Sequence, residues 1–449
     1  MGKIATTESP HKIPIFRTSP FRPMKDIVDD VGWAFERFGD VIQVKGFPAR
    51  VYCFRNPVHI EHIFYHQTVG GAKFPVILPR VKSVMQSGAY ILEGGNEWKE
   101  RRIPVQKGFK GEYLDRYLQY VPPLVDALIE QWEGTLSREQ VVDVIPGLQS
   151  LITQVSFKQY FSIDLVGEDL ELVRQQTHFI QLNFVKPWPL WLPFPGHLKF
   201  RRYAHELRQR FHAIVRARRA NNIPAHDAMA LLLGAGRKGT APGWTDEQIV
   251  DEMFSIYFGA VVMATTLAWA IFLLGSYPEV QQRLRSEALK IHGGRQPRGS
   301  DLEQLPYSSM VLDETLRLYP PSWGLPRFTK ERLSLDGYEI PAQSLVIPMI
   351  YHTHRHPEIW NSPLDYQPER FAGDSVEPPR PSLAFFPFGS GQRPCLGINL
   401  APLIMRLTLS HIVGRLEFRF NQRFAGDPVA DFGFEIHPAD ALLIRKAQQ

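Results

Sequence analysis

Cysteine is scarce in this sequence: 449 residues contain two, Cys53 and Cys395. Two thiols cannot make a disulfide framework, nor a metal site built from several thiolates. A chemically important cysteine here acts alone. Charge of one sign is also scarce. The net charge of +5 is spread along the chain without a run of five or six basic residues, which excludes nucleic acid as a partner. The opening MGKIATTESPHK has no apolar core of signal-peptide length, although Gly2 and Thr6 fit a myristoylation pattern that short sequences meet by accident. With 44% apolar and 22% charged residues, the composition is that of a globular protein rather than a disordered one.

One long apolar run is present. Met253 to Pro278 carries no charged residue and satisfies the length criterion for a membrane span. It is solitary, lies mid-chain and contains Thr265, Thr266 and Ser276. It reads instead as the enclosed core helix of a large domain. Its start is marked by Thr245-Asp-Glu-Gln248, a capping box. A helix from there to Ser276 would be ~45 Å long, and one apolar on all sides must be covered by other elements.

Helix signals dominate the rest. Asn96–Phe109 is helical and basic. Ser276, Pro278 and Glu279 read as cap, first turn and favourable charge of a helix closed by Gly293-Gly294. Another helix runs from Pro306 to Leu318, stopped by Pro320-Pro321. Strands are short: Val41–Lys45 and Arg50–Phe54 form a hairpin, and Arg332–Ile347 folds around a turn at Asp336-Gly337. No repeat or flexible linker divides the chain. The fold class is mainly α with small β-sheets, one domain over 1–449 with about 20 residues of N-terminal extension.

The strongest chemical signal is Phe385-Phe-Pro-Phe388-Gly389-Ser-Gly391-Gln-Arg393-Pro-Cys395-Leu-Gly397, followed by an apolar helix from Ile398 to about Gly414. Its glycines admit backbone conformations closed to other residues and a close approach to a flat object. A helix N-terminus after Cys395 favours a thiolate, and Arg393 can donate a charge-assisted hydrogen bond to a carboxylate.

Through that loop the chain resembles the cytochrome P450 family of haem-thiolate monooxygenases. The match to Phe-x-x-Gly-x-Arg-x-Cys-x-Gly falls on Phe388, Gly389, Arg393, Cys395 and Gly397 within the loop. The resemblance implies haem b, with Cys395 as the axial iron ligand and Phe388 packed against it. Glu314-Thr-Leu-Arg317 places both charges on one helix face, and with Arg370 of Pro368-Glu-Arg-Phe371 it matches the family's structural network. Trp98, Arg102 and Arg327 stand at positions the family uses for the haem propionates. The apolar run becomes the long central helix over a buried haem, and a soluble, bacterial-type, cytoplasmic monomer with no stable membrane insertion is expected.

The resemblance implies oxidation of a hydrophobic small molecule (a terpenoid, steroid, fatty acid or polyketide) by hydroxylation with dioxygen. Electrons would come from a separate ferredoxin and ferredoxin reductase, docked on Lys99, Arg101, Lys107 and Lys110. Phe258, Val261, Val262, Trp323, Leu325 and Phe434 fall at or near pocket-lining positions, and the aromatic loop Pro187–Pro195 falls where substrate-access loops lie. One departure stands out. The family's Gly-x-(Asp/Glu)-Thr falls without gaps on Gly259, Val261 and Val262, so the proton-relaying acid and alcohol are both missing. A shifted register gives the alcohol to Thr265, with Ala264 at the acid position. Thr265 and Thr266 remain the candidate catalytic residues, either ordering water or bonding to a carbonyl one turn back. Peroxide-driven oxidation or redox-neutral rearrangement is the alternative, and a non-catalytic haem-thiolate sensor the second.

Overall fold

The structure, a computed structural model, describes residues 12–19, 24–47, 49–65, 69–70, 78–86, 95–136, 142–183, 192, 194–221, 226–234, 243–373, 379–419, 429–431, 435–437 and 443–446. Its axis is the helix Asp246–Ser276. Thr245 caps it in an extended conformation, accepting from the Gln248 N–H at 3.2 Å while the Gln248 side chain accepts from the Thr245 N–H at 2.9 Å. Helices Val144–Phe161, Pro195–Asn221, Pro306–Leu318 and Ala401–Arg415 cover it. By length and composition this helix alone among the described residues could cross a membrane, yet most of its apolar window lies inside the protein. Packing is aromatic where three helices meet: Phe211 meets Phe254 edge-on at 4.6 Å, and Phe157 meets Tyr257 at 5.2 Å. Such contacts add to what area burial alone supplies.

The next helix is Pro278–His292, closed by Gly293 in a left-handed conformation at φ 57°. Its cap differs from the sequence reading. Ser276 is still part of the central helix, its hydroxyl donating to the Phe272 carbonyl, and Tyr277 takes the cap position without a side-chain bond. Helix Pro306–Leu318 follows. Asp336 and Gly337, both at positive φ, turn the hairpin Leu333–Leu335 to Tyr338–Ile340, as a two-residue primed turn requires.

One larger sheet of six strands supports the site. Ile15–Arg17, Val41–Lys45, Arg50–Phe54, Ser344–Pro348, Arg327–Thr329 and Val69–Gly70 lie side by side in that order. The predicted hairpin is there, with Val41 opposite Phe54 and Ile42 opposite Cys53. Alternation sorts its residues: Val51 and Cys53 pack with Phe35 of helix Met24–Phe38, whereas Tyr52 and Phe54 pack with Ile60 and Phe64 of helix Pro57–Tyr65. Phe386, from the cysteine loop, joins the second of these clusters.

The helix Pro306–Leu318 is tied to the loop region by buried charge. Arg317 places all five of its N–H donors: on both Glu314 oxygens at 2.6 and 2.8 Å, and on the carbonyls of His354, Pro363 and Asp365. Glu314 also accepts from Arg370 Nε at 3.0 Å and from the Gln367 N–H at 2.9 Å. Neither Glu314 nor Arg317 has exposed surface. Glu314→Ala is expected to cost about 3–5 kcal/mol, because it leaves two guanidinium groups buried without their partner. Urea unfolding followed by circular dichroism measures it; a loss below ~1 kcal/mol would show that water replaces the carboxylate.

Candidate functional site

The loop that carries Cys395 is held by its own backbone and by the sheet. The Cys395 N–H donates to the Phe388 carbonyl at 2.8 Å, and the Gly389 N–H donates to the Phe386 carbonyl at 2.9 Å. The Phe386 N–H donates in turn to His354 Nε2 at 3.0 Å. Burial, followed by the charges of Arg317 and Arg355, drops His354 to about 3, so its ring is a neutral acceptor. Gly389 and Gly391 stand at φ 68° and 71°; a Cβ on Gly391 would lie 2.3 Å from the Phe64 carbonyl oxygen. Tyr65 and Ser390 share a hydroxyl contact at 2.9 Å.

Cys395 is solvent-accessible, whereas Cys53 is buried. Protein nevertheless surrounds the Cys395 thiol on most sides. Burial raises it above its ordinary range, further than the Gly397 N–H and the Arg102 charge lower it. The sequence reading gave the following helix the leading role here, but that helix begins at Ala401. Tight turns closed on Cys395 and Gly397 fill the interval. The protein alone therefore favours a thiol, and a bound metal ion is what would deprotonate it outright. Cys53, pushed up to about 12 by burial, is chemically inert.

Cations gather around the cysteine loop. Arg102 donates to the carbonyl of Pro394 at 2.7 Å, and the Arg393 guanidinium lies 4.7 Å over the Trp98 ring. Arg327 stacks on Phe64 at 5.2 Å. Arg101 departs from the expected docking face: it is buried, with Glu252 of the central helix at 3.9 Å and Glu97 at 3.7 Å. With its guanidinium 5.9 Å over the Trp244 ring and paired with a buried acid, Arg101 is a packing element, whereas Lys99, Lys107 and Lys110 stay exposed. Leu325 abuts Gly389, and Trp323 packs into the cluster between the sheet and helix Met24–Phe38. Phe434 and most of Pro187–Pro195 lie outside the described residues.

The middle of the central helix exposes one face. Gly259 is accessible inside an otherwise buried stretch, and nothing lies within 4 Å of where its Cβ would be. Ser255 and Val262 are half-accessible, one turn before and after. At about 100° per residue, Ser255, Gly259, Val262 and Thr266 share a stripe. Phe258, Val261 and Thr265 form the neighbouring one. Thr266 is buried, and Thr265 faces the helices Val144–Phe161 and Gly167–Gln181.

The sequence profile described as Cytochrome P450 matches residues 8–440. The chain belongs to the cytochrome P450 family. It is 28% identical over 391 residues to cyclooctat-9-en-7-ol 5-monooxygenase of Streptomyces melanosporofaciens, covering 85% of this chain and 83% of that protein. It is 30% identical to 11-oxo-beta-amyrin 30-oxidase of Glycyrrhiza uralensis, covering 78% and 71%. The retinoic acid bound cyanobacterial CYP120A1 has the same fold, with a TM-score of 0.85 at 22% identity over 98% of this chain and all of that one.

The P450 family implies a haem-iron cofactor, and the residues present fit one. An accessible thiol ends the loop, guanidinium groups stand beside it, and Gly259 leaves open space against the central helix. Sequence reasoning missed His354, which holds the loop from outside its motif, and Glu252, which pairs with Arg101. The sequence carries the histidine in His352-Thr-His354-Arg-His356, but nothing in that pattern points to Phe386. Two glycines of this P450 should respond differently to alanine. Gly391→Ala is expected to cost about 1–3 kcal/mol through left-handed strain and the Phe64 clash. Gly397→Ala places a Cβ at ordinary distances of 3.7 and 4.0 Å from Ala401 and Cys395 and leaves the melting temperature near wild type. Differential scanning fluorimetry compares them; equal melting temperatures would refute the conformational argument.

Proposed function

We propose that this P450 binds one haem b through Cys395 and hydroxylates a hydrophobic small molecule, taking electrons from a separate ferredoxin and ferredoxin reductase. The observation that carries the reading is the accessible thiol at the end of a loop whose backbone is fixed on both sides. When bound, the haem supplies dioxygen activation and transfer of one oxygen atom to substrate. The chain's residues do the rest. Cys395 Sγ holds the metal, with the Gly397 N–H and Arg102 moderating its charge. Arg102, Arg327 and Arg393, with Trp98, receive the cofactor's carboxylates, for which planar guanidinium groups are suited. Phe258, Val261, Val262 and Leu325 present apolar surface to substrate and exclude water. The exposed lysines 99, 107 and 110 meet an acidic partner. The whole chain works as one catalytic domain and a cytoplasmic monomer.

Relatives named for cyclooctat-9-en-7-ol and 11-oxo-beta-amyrin favour a terpenoid among the hydrophobic substrate classes. Val261 and Val262, apolar where a proton relay is expected, favour a second reading: peroxide-driven oxidation or redox-neutral rearrangement. Two measurements decide. Reduced protein with carbon monoxide should give the red-shifted Soret band of a thiolate ligand, lost in Cys395→Ala and kept in Cys53→Ser; the reverse pattern would overturn the ligand assignment. Terpenoids that shift the haem from low to high spin should then give product only with reduced ferredoxin and dioxygen. Product formed with neither would discard hydroxylation.

A further inference from the structure

Two acids stand side by side near the start of the central helix, and their surroundings differ. Asp251 pairs with Arg208 at 2.7 Å, the length of a charge-assisted hydrogen bond. Glu252 is equally buried. Its contact with Arg101 Nη1 nevertheless spans 3.9 Å, and that nitrogen has no hydrogen-bond partner among the described residues. The other acid near Arg101 is Glu97 at 3.7 Å, with 64% of its side chain exposed, where solvent and salt screen it. A tight pair anchors a helix. A loose pair enclosed by protein acts chiefly through its field, which a low local dielectric leaves strong.

That field reaches the cysteine loop. At about 100° per residue, Glu252 falls on the stripe of Ser255 and Gly259, both accessible. Arg102, the residue after Arg101, donates to the Pro394 carbonyl at 2.7 Å. Burial lowers Arg102 from its ordinary value, and the charges of Cys395 and Glu252 oppose that fall. One guanidinium therefore feels both a carboxylate of the central helix and the Cys395 sulfur. The cofactor positions that the family resemblance implies on this helix are Trp98 and Arg102; Arg101 and Glu252 are not among them.

We propose that Glu252 and Arg101, beyond their packing, are positioning residues for the cofactor: through Arg102 they set the charge at the haem, Glu252 lowering its reduction potential and Arg101 raising it. The inference rests on the reading that Cys395 holds haem b. Reduction adds one electron, and so one negative charge, to the site. A buried carboxylate opposes that added charge and a buried guanidinium favours it. The ferredoxin supplies the electron in turnover, and dithionite supplies it in the test.

The haem-loaded protein is titrated anaerobically with dithionite and followed through its Soret band. Glu252→Gln, which keeps the shape, should move the ferric–ferrous equilibrium toward ferrous by roughly three- to tenfold, about 30 to 60 mV for a one-electron couple. Arg101→Gln should move it the opposite way, and the double variant should return close to wild type. Glu252→Asp, which keeps the charge, should stay close to wild type as well. These shifts should persist at about 0.5 M salt, which screens exposed charges. Residues needed only for packing would move both single variants in one direction, and the damage would accumulate in the double variant. Shifts of the same sign, or single variants that match wild type, would overturn the proposal. If Glu252→Gln does not take up haem, Arg101→Gln decides alone, and a potential that does not fall overturns it. The carbon monoxide band is recorded for every variant. A wild-type protein without the thiolate band fails the ligand assignment and this inference with it, whereas a thiolate band with unmoved potentials fails this inference alone.

Discussion

Burial of the Glu314–Arg317 pair is the constraint on which the rest of the site depends. Two charges without water exposure are costly unless every lone pair and N–H finds a partner. Here the partners come from segments distant in sequence: the carbonyls of His354, Pro363 and Asp365, and the side chain of Arg370. Satisfying one guanidinium thus fixes the path of the chain between residues 354 and 370. The same path delivers His354 to the Phe386 N–H, so the geometry of the cysteine loop is inherited from an ion pair on another element. Trp360 adds a face for both Arg317 and Arg380, at 5.0 and 4.5 Å, which shields the cluster from water.

The central helix obeys the opposite logic. Its middle is apolar on nearly every side because helices pack on nearly every side, and Ser255, Gly259, Val262 and Thr265 are the residues there that keep accessible surface. Its polar needs are met near its start, where buried Asp251 pairs with Arg208 at 2.7 Å and Glu252 faces Arg101. Charge is therefore segregated along one helix: paired acids in its second turn, hydrocarbon over its middle. This arrangement positions the element firmly while leaving its centre available to an apolar ligand.

Much of this was legible from the sequence because the signals were local. The Thr245–Gln248 capping box, the left-handed Gly293 and the Asp336-Gly337 turn each state a backbone requirement within four residues, and each lies where expected. The cysteine loop was legible for the same reason. Ser276 misled because a serine before Pro-Glu is a good cap on local grounds, yet here its hydroxyl bonds one turn back and the preceding helix continues through it. Arg101 misled because a basic helix face does not reveal that one of its members turns inward to a carboxylate 151 residues later. Telling Thr265 from Thr266 required the third dimension. Adjacent residues differ by about 100° around a helix, and what each meets is set by helices whose sequences hold no motif.

The neutrality of His354 carries a further consequence. The ring accepts an N–H from the loop and is held at about 3, against an ordinary histidine value of 6.5. His352, buried two residues earlier, is likewise at about 3, through burial and then the charges of Arg355 and Arg55. Unfolded, both rings would take up protons below 6.5; folded, they do not until about 3. Across that interval the unfolded chain binds more protons, so stability falls as pH falls. Acid therefore competes directly with the grip on the cysteine loop: the His354 ring that holds the Phe386 N–H at neutral pH turns acidity into a force for release.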